Sequence, residues 1–290
     1  MRSRAEHDEQ GQHRDRARPP SPEPLPHPVV DNHCHLDIAD GDWLETGEAI
    51  ARAAEVGVRR IVQIGCDLSG APWAVRAAEE HDALVAGVAL HPNEAPRLAA
   101  DGRLDEALAE IERLAQTHDR VRAVGETGLD FFRTGPDGRE AQVESFARHL
   151  DLAKRLDKTL VIHDRDAHEA VLDVIDAHGP PQRWVMHCFS GNPRLARACL
   201  DRGAYLSFAG TVTFKNAQPL RDALAVTPLD RVLVETDAPF LTPMPYRGRP
   251  NASYLVPVTV RAMAEVRGED LTALCEAIDG NTEAAFGGPW

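Results

Sequence analysis

From residue 29 onward, short runs of valine, isoleucine and leucine alternate with longer stretches whose apolar residues recur every three or four positions. The short runs suit buried strands, and the longer period suits helices with one apolar face. Strands are expected at 29–35, 60–65, 84–90, 121–125, 160–162, 184–186, 205–208 and 232–235. Helices are expected at 43–56, 71–80, 104–117, 139–155, 167–177, 193–202 and 219–225, with two closing helices at 254–266 and 270–286. In the helix over 139–155, Phe146, Leu150 and Ala153 share one face. Strand–helix alternation implies parallel strands joined by crossover helices. Eight units in about 260 residues fit a (β/α)8 TIM barrel, an α/β fold in one domain over 29–290. A doubly wound open sheet is the alternative, but no Gly-x-Gly-x-x-Gly follows the first strand, as a dinucleotide-binding version requires.

Residues 1–28 break this pattern. They hold six prolines between Pro19 and Pro28, five basic and five acidic residues, and no apolar period. Such a leader is expected to be disordered, and its removal to leave stability and activity nearly unchanged.

Composition narrows the function. The net charge of −14 argues against loose binding to nucleic acid or anionic membranes. An anionic substrate remains compatible with a site where metals and a few arginines reverse the local sign. The five cysteines are scattered, without a Cys-x-x-Cys pair, which argues against a disulfide framework and a cysteine zinc site. No apolar run approaches the roughly 18 residues of a membrane span. No apolar signal-peptide core is present either, so the expected location is cytoplasmic. No protein partner is evident.

The chemistry gathers at strand ends, where barrels of this kind place their active sites. Strand one carries His33 and His35, which alternation puts on one face with Cys34 on the other. Strand three ends at His91-Pro92, strand four at Gly125-Glu126-Thr127-Gly128-Leu129-Asp130, strand five at His163, strand six at His187 and strand eight at Glu235-Thr236-Asp237. The glycines beside Glu126 suggest a tight, exposed turn, where ligands are often placed. Four imidazoles and two carboxylates suit zinc, manganese or another first-row divalent ion, and magnesium is kept as a third candidate identity. Six donors exceed the three protein ligands of a typical catalytic zinc, and two divalent ions sharing a carboxylate use them better. Arg165, Lys215, Arg247 and Arg249 lie on strand-end loops, where arginine's planar fork suits phosphate; Arg165 and Arg247 are the stronger candidates. His91 either faces substrate or supports the ligands, and Asp130 is placed to orient a histidine.

These motifs resemble the TatD family of metal-dependent deoxyribonucleases, within the amidohydrolase-type barrels. The matching stretches are Asp31-Asn32-His33-Cys34-His35-Leu36-Asp37, His91-Pro92, the run from Gly125 to Phe131, Val161 to Ala167, His187-Cys188-Phe189-Ser190-Gly191, Thr213 to Ala217 and Glu235 to Leu241, followed by Arg247-Gly248-Arg249-Pro250-Asn251. The resemblance implies a TIM barrel, a divalent metal pair and phosphodiester hydrolysis, typically 3′→5′ exonuclease action on DNA. It implies that His33 and His35 hold one metal, Glu126 bridges, His163 and His187 hold the second, and Asp237 serves the metal and the attacking water. Asn32 stands where serine is usual, and Ala252 where an acidic residue is frequent. The alternative is an amidohydrolase-type hydrolase of another small ester, amide or phosphotriester. Many of those bridge their metals with a carboxylated lysine at the end of strand four; here the position is Glu126. A scaffold without activity is the third possibility, and the full donor set opposes it.

Overall fold

The computed structural model describes residues 2–3 and 14–288. Eight strands form one sheet: β1 (Val29–Cys34), β2 (Val58–Gly65), β3 (Leu84–Val88), β4 (Val121–Asp130), β5 (Thr159–Arg165), β6 (Trp184–Met186), β7 (Tyr205–Phe208) and β8 (Val232–Val234). Spatial order follows chain order, and every neighbouring pair is parallel. The ring closes just past β8. The Asp237 amide donates to the His33 carbonyl at 2.9 Å, and the His35 amide to the Ala238 carbonyl at 2.8 Å. The expected eight-unit barrel is the observed fold.

Around the ring run α1 (Thr46–Glu55), α2 (Gly70–Glu80), α3 (Ala95–Ala100), α4 (Leu104–Ala115), α5 (Pro136–Arg155), α6 (His168–His178), α7 (Pro193–Leu200), α8 (Gln218–Val226), α9 (Val256–Arg267) and α10 (Leu271–Phe286). Proline opens five of them, α3, α5, α7, α8 and α9, where its missing N–H costs nothing. Asn192 caps α7 by accepting from the Arg194 and Leu195 amides at 3.0 and 3.1 Å. The short α3 was not expected from the apolar period. No helix among the described residues is long and apolar enough to cross a membrane.

Two apolar layers result. Inside the ring, Val30, Val62, Ile64, Val85, Val161, Val185 and Leu233 interlock, and Ala285 and Phe286 of α10 complete this inner core. Between ring and helices lies the larger layer, which includes Cys34, Phe146, Trp184 and Phe208. Period-two strands must serve both layers, which is why they are apolar on both faces.

The leader departs from expectation. From residue 14 it packs on the barrel instead of being disordered. Leu25 is buried in the outer core, and its amide donates to the Val56 carbonyl at 3.0 Å. Arg14 forms a two-pronged ion pair with Asp40, at 2.9 and 2.6 Å. Tyr254 donates its hydroxyl to the Pro19 carbonyl at 2.7 Å, and Arg261 its guanidinium to the Pro24 carbonyl at 3.0 Å. Two of the prolines that argued for disorder, Pro19 and Pro24, thus offer carbonyls that barrel side chains bond. Arg2 and Ser3 pair in parallel with Ile38 and Ala39. The remainder of the expected leader lies outside the described residues.

One buried histidine links the helical layer to the strand ends. His149 of α5 accepts from the Leu90 amide at 3.1 Å, and its other ring nitrogen lies 2.7 Å from the Ser145 carbonyl. Burial pushes its pKa down to about 4, against help from Ser145. The folded protein therefore holds it neutral while the unfolded chain, titrating near 6.5, binds a proton. Its contribution is fully present above pH 6.5 and is lost as pH falls through 4, by about 3 kcal/mol in all. Between pH 7 and pH 4.5, His149→Gln is expected to lose less urea stability than the wild type. Equal losses in both proteins would remove His149 from the acid response.

Candidate metal centre

Local sequence aims the candidate donors by interrupting regular pairing. On β4, Gly125 pairs with Val161 but Thr127 already pairs with Ile162, so Glu126 is the extra residue of a bulge. Gly125 and Gly128 permit it: a Cβ on Gly125 would lie 2.4 Å from that of Val161, and one on Gly128 2.1 Å from the His163 carbonyl oxygen. The expected exposed turn is thus a continuing strand with Glu126 buried inside it. A register shift between Asp31 and Cys34 likewise interrupts β1 beside His33.

The two oxygens of Glu126 face two groups of donors. Oε2 lies 3.5 Å from His33 Nε2 and 3.8 Å from His35 Nε2. Asp237 Oδ1 joins this group, 3.8 Å from His33 Nε2 and 3.4 Å from His35 Nε2. The two imidazole nitrogens are 3.3 Å apart. Oε1 lies 2.6 Å from His163 Nδ1, 3.4 Å from His187 Nε2 and 3.5 Å from His91 Nε2. Donors held about 2.0–2.1 Å from a tetrahedral zinc stand about 3.3–3.4 Å from one another, so the first group has nearly the spacing a cation needs. The nitrogen- and oxygen-rich donor set fits a divalent first-row ion.

Electrostatics follow from packing so many imidazoles around one carboxylate. Burial opposes charge on Glu126, yet nearby His187 and His91, with hydrogen bonds from His163 and His187, hold it well below the usual carboxylate range. Burial pushes His33 down to about 3, with His187 adding to the effect, so it offers a free lone pair. His33 and His187 stack with centroids 3.6 Å apart. Burial also opposes charge on His163, but Asp130 and Glu126 carry it up to about 9.

A second ring of groups fixes these rings in place. His35 Nδ1 lies 3.0 Å from the Ile64 carbonyl. Asp130 Oδ2 stands 3.4 Å from His163 Nε2, and Asn93 donates to the same oxygen at 3.2 Å. Glu235 Oε1 lies 2.8 Å from His187 Nδ1 and accepts the Cys188 amide at 2.8 Å, an approach made with Cys188 in the left-handed backbone region. Asp31 crosses the seam: it accepts the Thr236 amide at 2.8 Å and hydroxyl at 2.6 Å. Burial raises its pKa to about 6 despite those bonds.

The fold therefore brings together His33, His35, Glu126, His163, His187 and Asp237, and adds His91, which stands in one of the donor groups. Arg165, Arg247 and Lys215 lie outside the cluster. The Arg165 guanidinium stacks 3.9 Å above the exposed Phe132 ring, and the exposed Arg247 4.4 Å above Phe214. Lys215 is exposed. Arg249 instead bonds the leader, donating to the Ala17 and Arg18 carbonyls at 2.8 and 2.9 Å. The supporting roles of Glu235, Asp31 and His149 were missed. Glu235 had a signal, since it follows the inward Leu233 by two residues. Those of Asp31 and His149 depend on partners 205 and 59 positions away.

Comparison with known proteins agrees with this geometry. The family model described as TatD related DNase matches residues 30–287. The metal-dependent hydrolase TatD of Mycobacterium tuberculosis is 44% identical over 267 residues, covering 90% of this chain and 99% of that one. YabD of Bacillus subtilis, also described as a metal-dependent hydrolase, is 35% identical, covering 89% and 98%. Both relatives are described as uncharacterized. Among solved structures, the TatD homologue YjjV of Escherichia coli superposes with a TM-score of 0.80 at 28% identity, covering 90% of this chain and 98% of that one. Family match, relatives and fold coincide on the chain that carries the donor cluster: it belongs to the TatD family of metal-dependent hydrolases.

Proposed function

We propose that this protein is a deoxyribonuclease that hydrolyses phosphodiester bonds of DNA from the 3′ end, with two divalent metal ions held by His33, His35, Glu126, His163, His187 and Asp237. The observation that carries the reading is Glu126, one buried carboxylate whose two oxygens each face a separate group of donors. When bound, such ions supply Lewis acidity, polarising a phosphoryl oxygen and making a water easier to deprotonate.

The chain's own residues do the rest. Asp237 reaches the mouth, its side chain 16% exposed against 5% for Glu126. It is placed to take the proton of a water whose oxygen attacks phosphorus while the bond to the leaving sugar oxygen breaks. His35 keeps its orientation through the Ile64 carbonyl, His163 through the facing Asp130 carboxylate and His187 through that of Glu235. Arg165 and Arg247 bind phosphates of the strand on the 5′ side of the reacting bond. Their guanidiniums are preoriented by Phe132 and Phe214 beneath them, which lowers the entropy cost of forming a fork. Lys215 adds a point charge, and His91 faces the substrate beside His163. The overall charge of −14 confines attraction for DNA to this rim. No part of the proposal needs another subunit or a membrane, and the cytoplasm is the proposed place of action.

The test is a panel of end-labelled DNA, end-labelled RNA and a small phosphodiester, read with zinc, manganese and magnesium. Shortening of DNA from the 3′ end with at least one ion is expected, and turnover of the small ester without any action on DNA would overturn the assignment. In the same panel, Arg247→Ala is expected to raise KM for DNA about tenfold and to leave the small ester nearly unchanged, the loss of about 1.4 kcal/mol from one phosphate contact. Equal losses on both substrates would move Arg247 to the scissile phosphate.

A further inference from the structure

The leader meets the barrel where two rim loops come together. One loop follows β1 and carries Asp40, Gly41 and Asp42, soon after the ligand His35. The other follows β8 and carries Arg247, Gly248, Arg249 and Pro250, ten residues beyond Asp237. Residues 14–19 stand between them and bond both. Arg14, with only 5% of its side chain exposed, pairs with the buried Asp40, while its Nε donates to the Gly248 carbonyl at 3.2 Å. Arg18 donates to the Asp40 and Asp42 carbonyls at 3.0 and 2.6 Å. In return, Arg249 donates to the Ala17 and Arg18 carbonyls and pairs with Asp15 at 3.3 Å. The three strands of chain touch at Gly41, whose φ is +69°. A Cβ there would lie 2.6 Å from the Arg16 carbonyl oxygen and 2.8 Å from Pro250 Cγ.

The segment also lies before the part of the chain that the family match covers. The family match begins at residue 30, and the Mycobacterium tuberculosis relative is covered over 99% of its length by 90% of this chain.

We propose that residues 14–19 are a clasp that holds the Arg247 loop in place at the mouth, so that this chain's leader sets its grip on a polymeric phosphate substrate. The physical reason is the cost of a mobile phosphate ligand. Arg247 is exposed, and apart from its stack on Phe214 its position depends on its loop. Of the arginines flanking this loop's contacts, Arg14 and Arg249 bond backbone carbonyls across the gap. A loop so tied has less freedom to lose when a phosphate docks. The clasp touches none of the metal ligands, so it acts on binding and not on the bond-breaking step. Arg14, Arg18 and Arg249 are in this sense positioning residues. The substrate half of the inference rests on the function proposed above; the structural half does not.

The test uses the full chain with Arg14→Ala and, separately, Arg249→Met, which keeps the aliphatic stem and removes the donors. The first readout is amide hydrogen exchange over residues 241–251 in metal-free protein, where Tyr246 and Arg249 amides are bonded to carbonyls within the loop. Exchange at least about tenfold faster in both variants is expected, with protection elsewhere in the barrel retained. Unchanged exchange in Arg249→Met overturns the clasp, even if Arg14→Ala does not fold. The second readout is kinetic: KM for end-labelled DNA is expected to rise about tenfold while kcat and turnover of a small phosphodiester stay within about twofold. A fall in kcat on both substrates would show that the leader supports the metal centre and would overturn the proposal. Should the wild type act on no DNA at all, the function proposed above fails, and the exchange result still decides whether the clasp exists.

Discussion

Asp237→Asn is expected to fold, retain most of its metal and turn over about 10²–10⁴-fold more slowly than the wild type, the usual span for a positioned general base. Asp237 follows β8 in the left-handed backbone region, a conformation that aspartate tolerates better than most residues. Its amide is bonded to His33 and its carbonyl accepts the Phe240 amide at 2.8 Å, so the side chain leaves a rigid seam. Asparagine preserves that shape and one ligand oxygen. It removes the second oxygen's capacity to accept a proton. Three other donors, His33, His35 and Glu126, remain around the same point. Near-normal turnover by a metal-replete Asp237→Asn protein would take the base role away, and loss of metal together with activity would leave Asp237 as a ligand alone. Elemental analysis of the assayed sample separates these outcomes.

Glu126→Ala is expected to have the broader effect, because its two oxygens serve both groups of donors. Wild-type protein is expected to hold up to two divalent ions, and the variant to lose tight binding at both positions. Removing Lewis-acid stabilisation of about 4 kcal/mol corresponds to about 10³ in rate. Stability gives an independent readout. An ion at about a hundred times its Kd stabilises the fold by about 2.7 kcal/mol per site, so added zinc should raise the melting temperature of the wild type and barely move that of the variant. A variant that keeps one tight ion would show that Glu126 belongs to only one group. The bulge that presents Glu126 depends on Gly125 and Gly128, not on the carboxylate, so the metal-free variant is expected to keep its fold.

Much of this was legible beforehand, for a physical reason particular to parallel barrels. Each strand is buried on both faces, so it reads as a short apolar run, and the polar residue ending that run is delivered to the same end of the molecule as every other. His33, His35, His163, His187 and Asp237 could therefore be grouped although up to 204 positions separate them in the chain. Where the residue itself interrupts the strand, the reading was weaker. Glu126 was placed at an exposed turn because glycines flank it, whereas those glycines serve the close approach of β5 to a bulged and buried strand. His91 could be assigned to the rim but not to the donor group it joins, since that depends on the Oε1 side of Glu126.

The sequence by itself determined the alternation of elements, the barrel they close into and the residue types gathered at its mouth, because these depend on local period and on where apolar runs stop. Only the tertiary structure decided which donors share an oxygen, that Glu235 backs His187, that Arg165 and Arg247 rest on aromatic rings while Arg249 turns to the leader, and that the proline-rich leader is ordered from residue 14. Each of those depends on pairings between distant parts of the chain, such as Arg14 with Asp40 and Arg249 with Ala17. Local composition assigns no cost or gain to a partner it cannot see: a polar, proline-rich stretch lacks a core of its own, and becomes ordered only because the barrel presents Asp40, Arg249, Tyr254 and Arg261 to its side chains and carbonyls.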